Sequence, residues 1–337
     1  MGGTASEAPS LQKTTSASSA MPTSDAKQAR SYTSHYLVFG TQDDAGRPRI
    51  VAIDFNRTAG VDSLAYEYKL FVAKDSNWSM PVYETWTTEK SSAAASTLPQ
   101  DAFPSRGGLD PTLKKNVLHR VETNLPTLDL TVSVKDSAVP FSTGPDENVP
   151  RTGHPQVAVR WNDTTFHGPG VYEHIQSDGS GSNENAAGRD THSKKTEKAS
   201  ERERRLDAES TFGLYDWIVL YDDTGRLWQV SQGTLTTDFA YQNVTEALPQ
   251  QTNDVLIRWT ATAYDSTAGQ HSPSAWLVDV PAWKMRVDLR KTGEHRGHGF
   301  PRSDGTRPIY IQAGVEGIGT INGQKHRFFG MVEHIRD

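Results

Sequence analysis

The sequence predicts an all-β protein built of two tandem barrel-like halves, on three observations. Alternating or continuous apolar runs rich in Val, Ile, Thr, Tyr and Trp recur along most of the chain, separated by Gly, Pro and Asp clusters. Two segments that would close such halves carry one motif, Gly-x-x-Glu-His-Ile, at 170–175 and again at 330–335. Two that would open them, YLVFGTQDDAGR (36–47) and WIVLYDDTGR (217–226), each run from an aromatic-led apolar stretch into Asp-Asp-x-Gly-Arg.

The elements follow in chain order. Residues 1–30 are rich in Ser, Thr and Ala and have no apolar h-region, so they read as a disordered tail and not as a signal peptide. The first half, 31–176, holds the strand patterns RIVAIDF, YEYKLFVA, PVYETWT, LDLTVSV and QVAVRW, with a long loop over 89–115. Residues 177–210 begin as a Gly/Ser linker and become a stretch of alternating charge, the pattern of a solvated face. The second half, 211–337, continues with WIVLY, RLWQVSQ, DVLIRWTATAY, AWLVDV, KMRVDL, IYIQAGV and FFGMVEHI. Each Asp-Asp-x-Gly-Arg places Gly where a hairpin needs positive φ. The closing motifs superpose at an offset of 160 and the opening ones at 179, so the first half carries 19 extra residues. Many short strands joined by tight turns make a sandwich or a barrel.

Composition narrows the function. The 337 residues carry a net charge of −6 and no basic stripe, which excludes a nucleic-acid partner. There is no cysteine, hence no disulfide, thiolate metal site or Cys nucleophile. No apolar run reaches the length of a spanning helix, and with no signal peptide a cytoplasmic location is expected. EHRGHG offers His295 and His298 without a third ligand, so no metal is expected. Gly-x-Ser-x-Gly, Walker and Rossmann fingerprints are missing, which leaves no sign of a Ser triad or a nucleotide cofactor; no cofactor is expected.

The order of motifs resembles the carotenoid 1,2-hydratase (hydroxyneurosporene synthase) and AttH-type family, which includes fungal phytoalexin hydratases. The residues that carry the resemblance are GPGVYEHIQS, YDWIVLYDDTGRLW, SAWLVDVPAWKMRVDL, IQAGVEGIGTINGQ and FFGMVEHI. It covers 150–337 well and 31–150 in outline. It implies two lipocalin-like (calycin) barrels and a hydratase, lyase or isomerase acting on an isoprenoid- or polyketide-like alkene. The sequence departs from the family at Glu173, where Asp is usual, and at Gln176, where Trp is usual.

Side chains alternate along a strand, so Val171, Glu173 and Ile175 share one face and Tyr172, His174 and Gln176 the other. A carboxyl set between apolar residues either pairs with a cation such as Arg160 or Arg258, or stays protonated as a general acid does. If only one copy is catalytic, the resemblance selects Glu173 with His174, and Glu333 becomes the structural twin. Tyr172 and His174 could share a proton or hold water. Asp216 is a second acid or a strand-edge residue. Gln176, Tyr215, Trp217, Trp276 and Glu333 are the expected ligand contacts. The partner is a hydrophobic small molecule, and a carrier that binds it without chemistry is the alternative reading.

Overall fold

The structure, a computed structural model, describes residues 31–59, 63–74, 77–89, 112–114, 117–125, 130–134, 151–177, 213–233, 238–243, 250–298 and 304–336. The tail 1–30 and most of the expected loop 89–115 and linker 177–210 lie outside the described residues.

Three antiparallel sheets make up the described protein. The first has the order β4-β3-β2-β1-β11-β8, from β1 (Ser31–Gln42), β2 (Pro48–Ala59), β3 (Ser63–Lys74), β4 (Asn77–Glu89), β8 (Arg151–Gly153) and β11 (Val171–Ser177). The second is β10-β9-β7-β6-β5, from β5 (Thr112–Lys114), β6 (Val117–Leu125), β7 (Leu130–Val134), β9 (Gln156–Trp161) and β10 (Thr164–Pro169). The third is one nine-stranded sheet, β15-β14-β13-β12-β20-β19-β18-β17-β16. Its strands are β12 (Gly213–Asp222), β13 (Leu227–Gly233), β14 (Phe239–Asn243), β15 (Gln250–Thr252), β16 (Leu256–Asp265), β17 (Gln270–Val280), β18 (Met285–His298), β19 (Ile309–Ile321) and β20 (Gln324–Arg336). It curls until Gln232 on β13 bonds the Val255 carbonyl at 3.1 Å and the Ile257 amide at 2.7 Å, next to β16. This is an all-β, barrel-like architecture.

The repeated motifs do the same work twice. Opening and closing strands pair in both parts, β1 with β11 and β12 with β20. In both opening turns the first Asp accepts two backbone amides on Oδ1 (Ala45 and Arg47; Thr224 and Arg226), while Oδ2 accepts the Arg Nε at 2.9 Å or 2.7 Å. Gly46 and Gly225 take φ of 70° and 80°. Each motif Gly lies where its strand passes the opening strand too closely for a side chain. A Cβ on Gly330 would sit 1.9 Å from the Val219 carbonyl oxygen; on Gly170 it would meet the Val38 carbonyl at 3.0 Å and a Val157 methyl at 2.5 Å.

The apolar runs are continuous because the strands are buried on both faces. On β12, Ile218 and Leu220 join Trp228, Trp276, Val287, Ile311 and Val332 in the interior of the third sheet. Trp217, Val219 and Tyr221 face the other way and pack with Tyr36, Val38, Ile50, Phe71, Val171, Phe329 and Met331. The first and third sheets therefore meet face to face through an aromatic-rich core. Trp78 on β4 lies over Gly293 and Gly314, and the Tyr221 ring fills the space beside Gly40.

Candidate active site between the sheets

The two motif glutamates come together at this contact. Register sets Tyr36 opposite Glu173 and Trp217 opposite Glu333, each aromatic on the opening strand of the same sheet. The polar contacts then cross over. Trp217 Nε1 donates to Glu173 Oε1 at 2.6 Å, and the Tyr36 and Trp217 rings meet edge-on, 5.4 Å apart. The charge of Glu173 is felt at Glu333. One strand pattern written twice thus supplies two carboxyls to one place.

Their surroundings differ. Glu173 Oε1 also accepts from Gln229 Nε2 at 3.0 Å, and Gln229 Oε1 lies 2.8 Å from His154 Nε2. Because the Gln229 amide nitrogen is committed to Glu173, its oxygen must accept, which puts the His154 proton on Nε2. His154 stacks flat on Tyr241, ring centroids 3.4 Å apart. Burial brings its pKa down to about 4, against a smaller upward pull from Gln229, and burial pushes Tyr241 up to about 12. His154 is therefore a neutral donor at ordinary pH. Two N–H groups thus donate to one oxygen of Glu173.

Glu333 has hydroxyls and like charges. Tyr215 Oη donates to Oε1, Tyr310 Oη donates to Oε2 at 3.2 Å, and Gln312 Nε2 lies 3.5 Å from Oε2. Burial, then the charges of Asp54 and Glu173, push its pKa well above the ordinary carboxyl range, and Lys69 only partly opposes them. Tyr36, which accepts from Gln312 at 3.3 Å and donates to Met331 Sδ at 3.2 Å, has its phenol pushed well up by burial and by Glu333, Asp54 and Glu173. Burial works against the charge on Lys69, but Asp54 at 3.3 Å and Glu67 at 3.1 Å outweigh it and raise its pKa. Its ammonium also lies 5.6 Å from the centre of the Tyr310 ring.

The expected residues fall in three places. Glu173, Trp217, Tyr215 and Glu333 line the contact between the sheets. Tyr172 is buried on the opposite face of β11 from Glu173. Asp216 and Trp276 lie inside the third sheet, where the carboxylate accepts from Trp276 Nε1 at 3.0 Å, Trp259 Nε1 at 2.8 Å and His334 Nδ1 at 2.9 Å. Asp216 is thus the hub of a buried cluster and not a strand-edge residue. The His174 and Gln176 side chains lie outside the described ones. The Trp217 indole and the Gln229 amide hold Glu173, and the Tyr215 and Tyr310 phenols hold Glu333.

Asp54, Lys69, Gln229, His154, Tyr310 and Gln312 were not singled out from sequence. A signal existed for three of them, each a lone polar residue inside an apolar run: VAIDF, YKLFVA and YIQAGV. Among the described residues no group of three or more His, Cys, Asp and Glu could hold a metal, and no helix is long and apolar enough to cross a membrane. A separate groove of about 480 Å³ crosses the third sheet, lined by Gln42, Pro48, Leu289, Ile318 and Phe329 among others.

No family model and no curated protein matches the chain. Among solved structures, the AttH-type protein of Nitrosomonas europaea superposes with a TM-score of 0.50 at 13% identity, covering 90% of this chain and 92% of that one. The fold is the AttH-type, lipocalin-like fold. Kievitone hydratase from Nectria haematococca aligns at 10% identity with a TM-score of 0.44, over 92% of this chain and 89% of that one. CghA aligns at 10% identity with a TM-score of 0.43, over 91% and 88%. At 90% coverage of this chain, the likeness to the Nitrosomonas europaea protein extends over both parts of the molecule.

Proposed function

We propose that the contact between the first and third sheets is an acid–base site, and that the protein is a cofactor-independent hydratase or isomerase of an apolar, isoprenoid- or polyketide-like alkene. The observation that carries this is the unequal setting of two facing carboxyls: Glu333 among phenols and like charges, Glu173 under two N–H donors. Pairs of titratable groups whose surroundings push their pKa values apart divide naturally into acid and base.

In this reading Glu333 gives its proton to one alkene carbon. The Tyr36 and Trp217 rings lie beside the cationic centre left on the other carbon. For hydration, water bonds to that carbon and its proton passes to Glu173. For isomerisation, Glu173 takes a proton from the adjacent carbon and the double bond moves by one position. Either course takes one proton from Glu333 and delivers one to Glu173, so a transfer between the two resets the site. Tyr215, Tyr310 and Gln312 orient the acid; Gln229 and His154 orient the base.

Infrared difference spectroscopy of the whole protein tests this. At pH 7 a protonated carboxyl band is expected that vanishes in Glu333→Gln and survives in Glu173→Gln. If the wild type has no such band at pH 7, Glu333 is not the acid, and the carrier reading gains.

A further inference from the structure

A second site lies on the opposite face of the same two strands, inside the third sheet. Asp216 on β12 collects three donors from three strands, the indoles of Trp259 and Trp276 and His334 Nδ1. A carboxylate only accepts, so His334 carries a proton on Nδ1 toward Asp216, and with that proton alone the ring has a bare lone pair at Nε2. His334 is fully buried, and its Nε2 has no hydrogen-bond partner among the described residues. A buried polar atom left unpaired in this way is costly, and a ligand or a water that completes it removes that cost.

Two further orphaned atoms gather at the same end. Arg336, one strand step beyond His334 on the same face, sets its guanidinium 5.3 Å from the Trp259 ring centre, and its NH1 group donates to the His271 carbonyl. Among the described residues its Nε is buried without a partner, as is the hydroxyl of Ser272, the residue after His271. The Trp259 indole, edge-on to His334 at 5.0 Å, is only partly buried. The His334 acceptor and the Arg336 Nε thus stand unsatisfied, among the described residues, near the Trp259 indole.

We infer that this end of the third sheet binds a small apolar molecule bearing a hydroxyl, whose O–H is accepted by His334 Nε2 while the indoles of Trp259 and Trp276 flank its apolar body. Asp216 does not touch the ligand; it fixes the imidazole so that Nε2 accepts. The site is independent of the carboxyl pair between the sheets.

The test uses p-cresol against toluene, molecules of similar shape that differ by the hydroxyl. Tryptophan fluorescence of the full chain should show saturable p-cresol binding about tenfold tighter than toluene, the worth of one hydrogen bond near 1.4 kcal/mol. Nitrogen NMR of the unmodified protein should show His334 Nε2 unprotonated at neutral pH and shifting as p-cresol saturates. His334→Phe should bind both probes alike. Equal affinities in the wild type, a protonated Nε2, or an Nε2 resonance that p-cresol does not move would each overturn the assignment; the last two need no variant to fold.

Discussion

Glu173 and Glu333 occupy the same position in the same motif, yet one sits under N–H donors and the other among phenols and like charges. The strand that bears them and the glycine that precedes them are alike in both parts. What differs lies on the neighbouring strands: Gln229 and His154 beside Glu173, Tyr310, Gln312 and the Asp54–Lys69–Glu67 group beside Glu333. A repeat of sequence can thus fix where a carboxyl stands and leave its protonation to be set by residues outside the repeat.

The largest test of this likeness acts on the glycines. Gly330→Ala forces a Cβ against a rigid backbone carbonyl at 1.9 Å, whereas at Gly170 the nearest atom is a Val157 methyl that can rotate. Gly330→Ala should cost about 3 kcal/mol or more and Gly170→Ala about 1–2 kcal/mol, read from urea midpoints. Equal losses would show the two closing strands to be packed alike.

The next effect belongs to the basic side alone. His154 is held near pKa 4 against an ordinary 6.5, so below pH 6.5 the unfolded chain binds a proton that the folded protein refuses. Stability should fall as pH drops from 6.5 to 4 and level off below, by about 3 kcal/mol in all. His154→Phe, which keeps the stack on Tyr241, should flatten that part of the profile in thermal melts at successive pH values. An unchanged slope would place the titration elsewhere.

The last test separates the glutamates directly. A carboxyl whose folded pKa is raised costs nothing below its unfolded value near 4.5 and destabilises increasingly as pH rises above it. Glu333→Gln should therefore gain stability relative to wild type steadily on going from pH 4.5 to 8. Glu173→Gln, which removes a carboxyl held by the Trp217 and Gln229 N–H groups, should show no such gain. Parallel profiles for the two variants would erase the distinction between acid and base.

Some of this was legible in the chain. Asp-Asp-x-Gly-Arg specifies its turn because Asp43 and Asp222 bond amides only two and four residues ahead and Gly supplies the positive φ. The strands, their antiparallel order and the likeness of 170–175 to 330–335 follow from the same local logic of alternation and spacing. Expecting one of the two glutamates to be a structural twin was a natural reading of a repeat seen in one dimension. His154, Gln229, Tyr310 and Lys69 could not be joined to either glutamate from sequence, because alternation gives a side chain a face but not the neighbour that face meets. Those partners are 19 to 264 positions away; Tyr310 reaches Glu333 through the β19–β20 pairing, while Gln229 and Lys69 reach their glutamates only when two sheets dock.

By itself the sequence determined the turns, the strand faces and the glycines that let each closing strand pass, all consequences of backbone sterics within a few residues. The docking of sheet on sheet decided what surrounds each carboxyl and raised the pKa of Glu333, because desolvation and the charge of nearby groups are properties of the assembled interior.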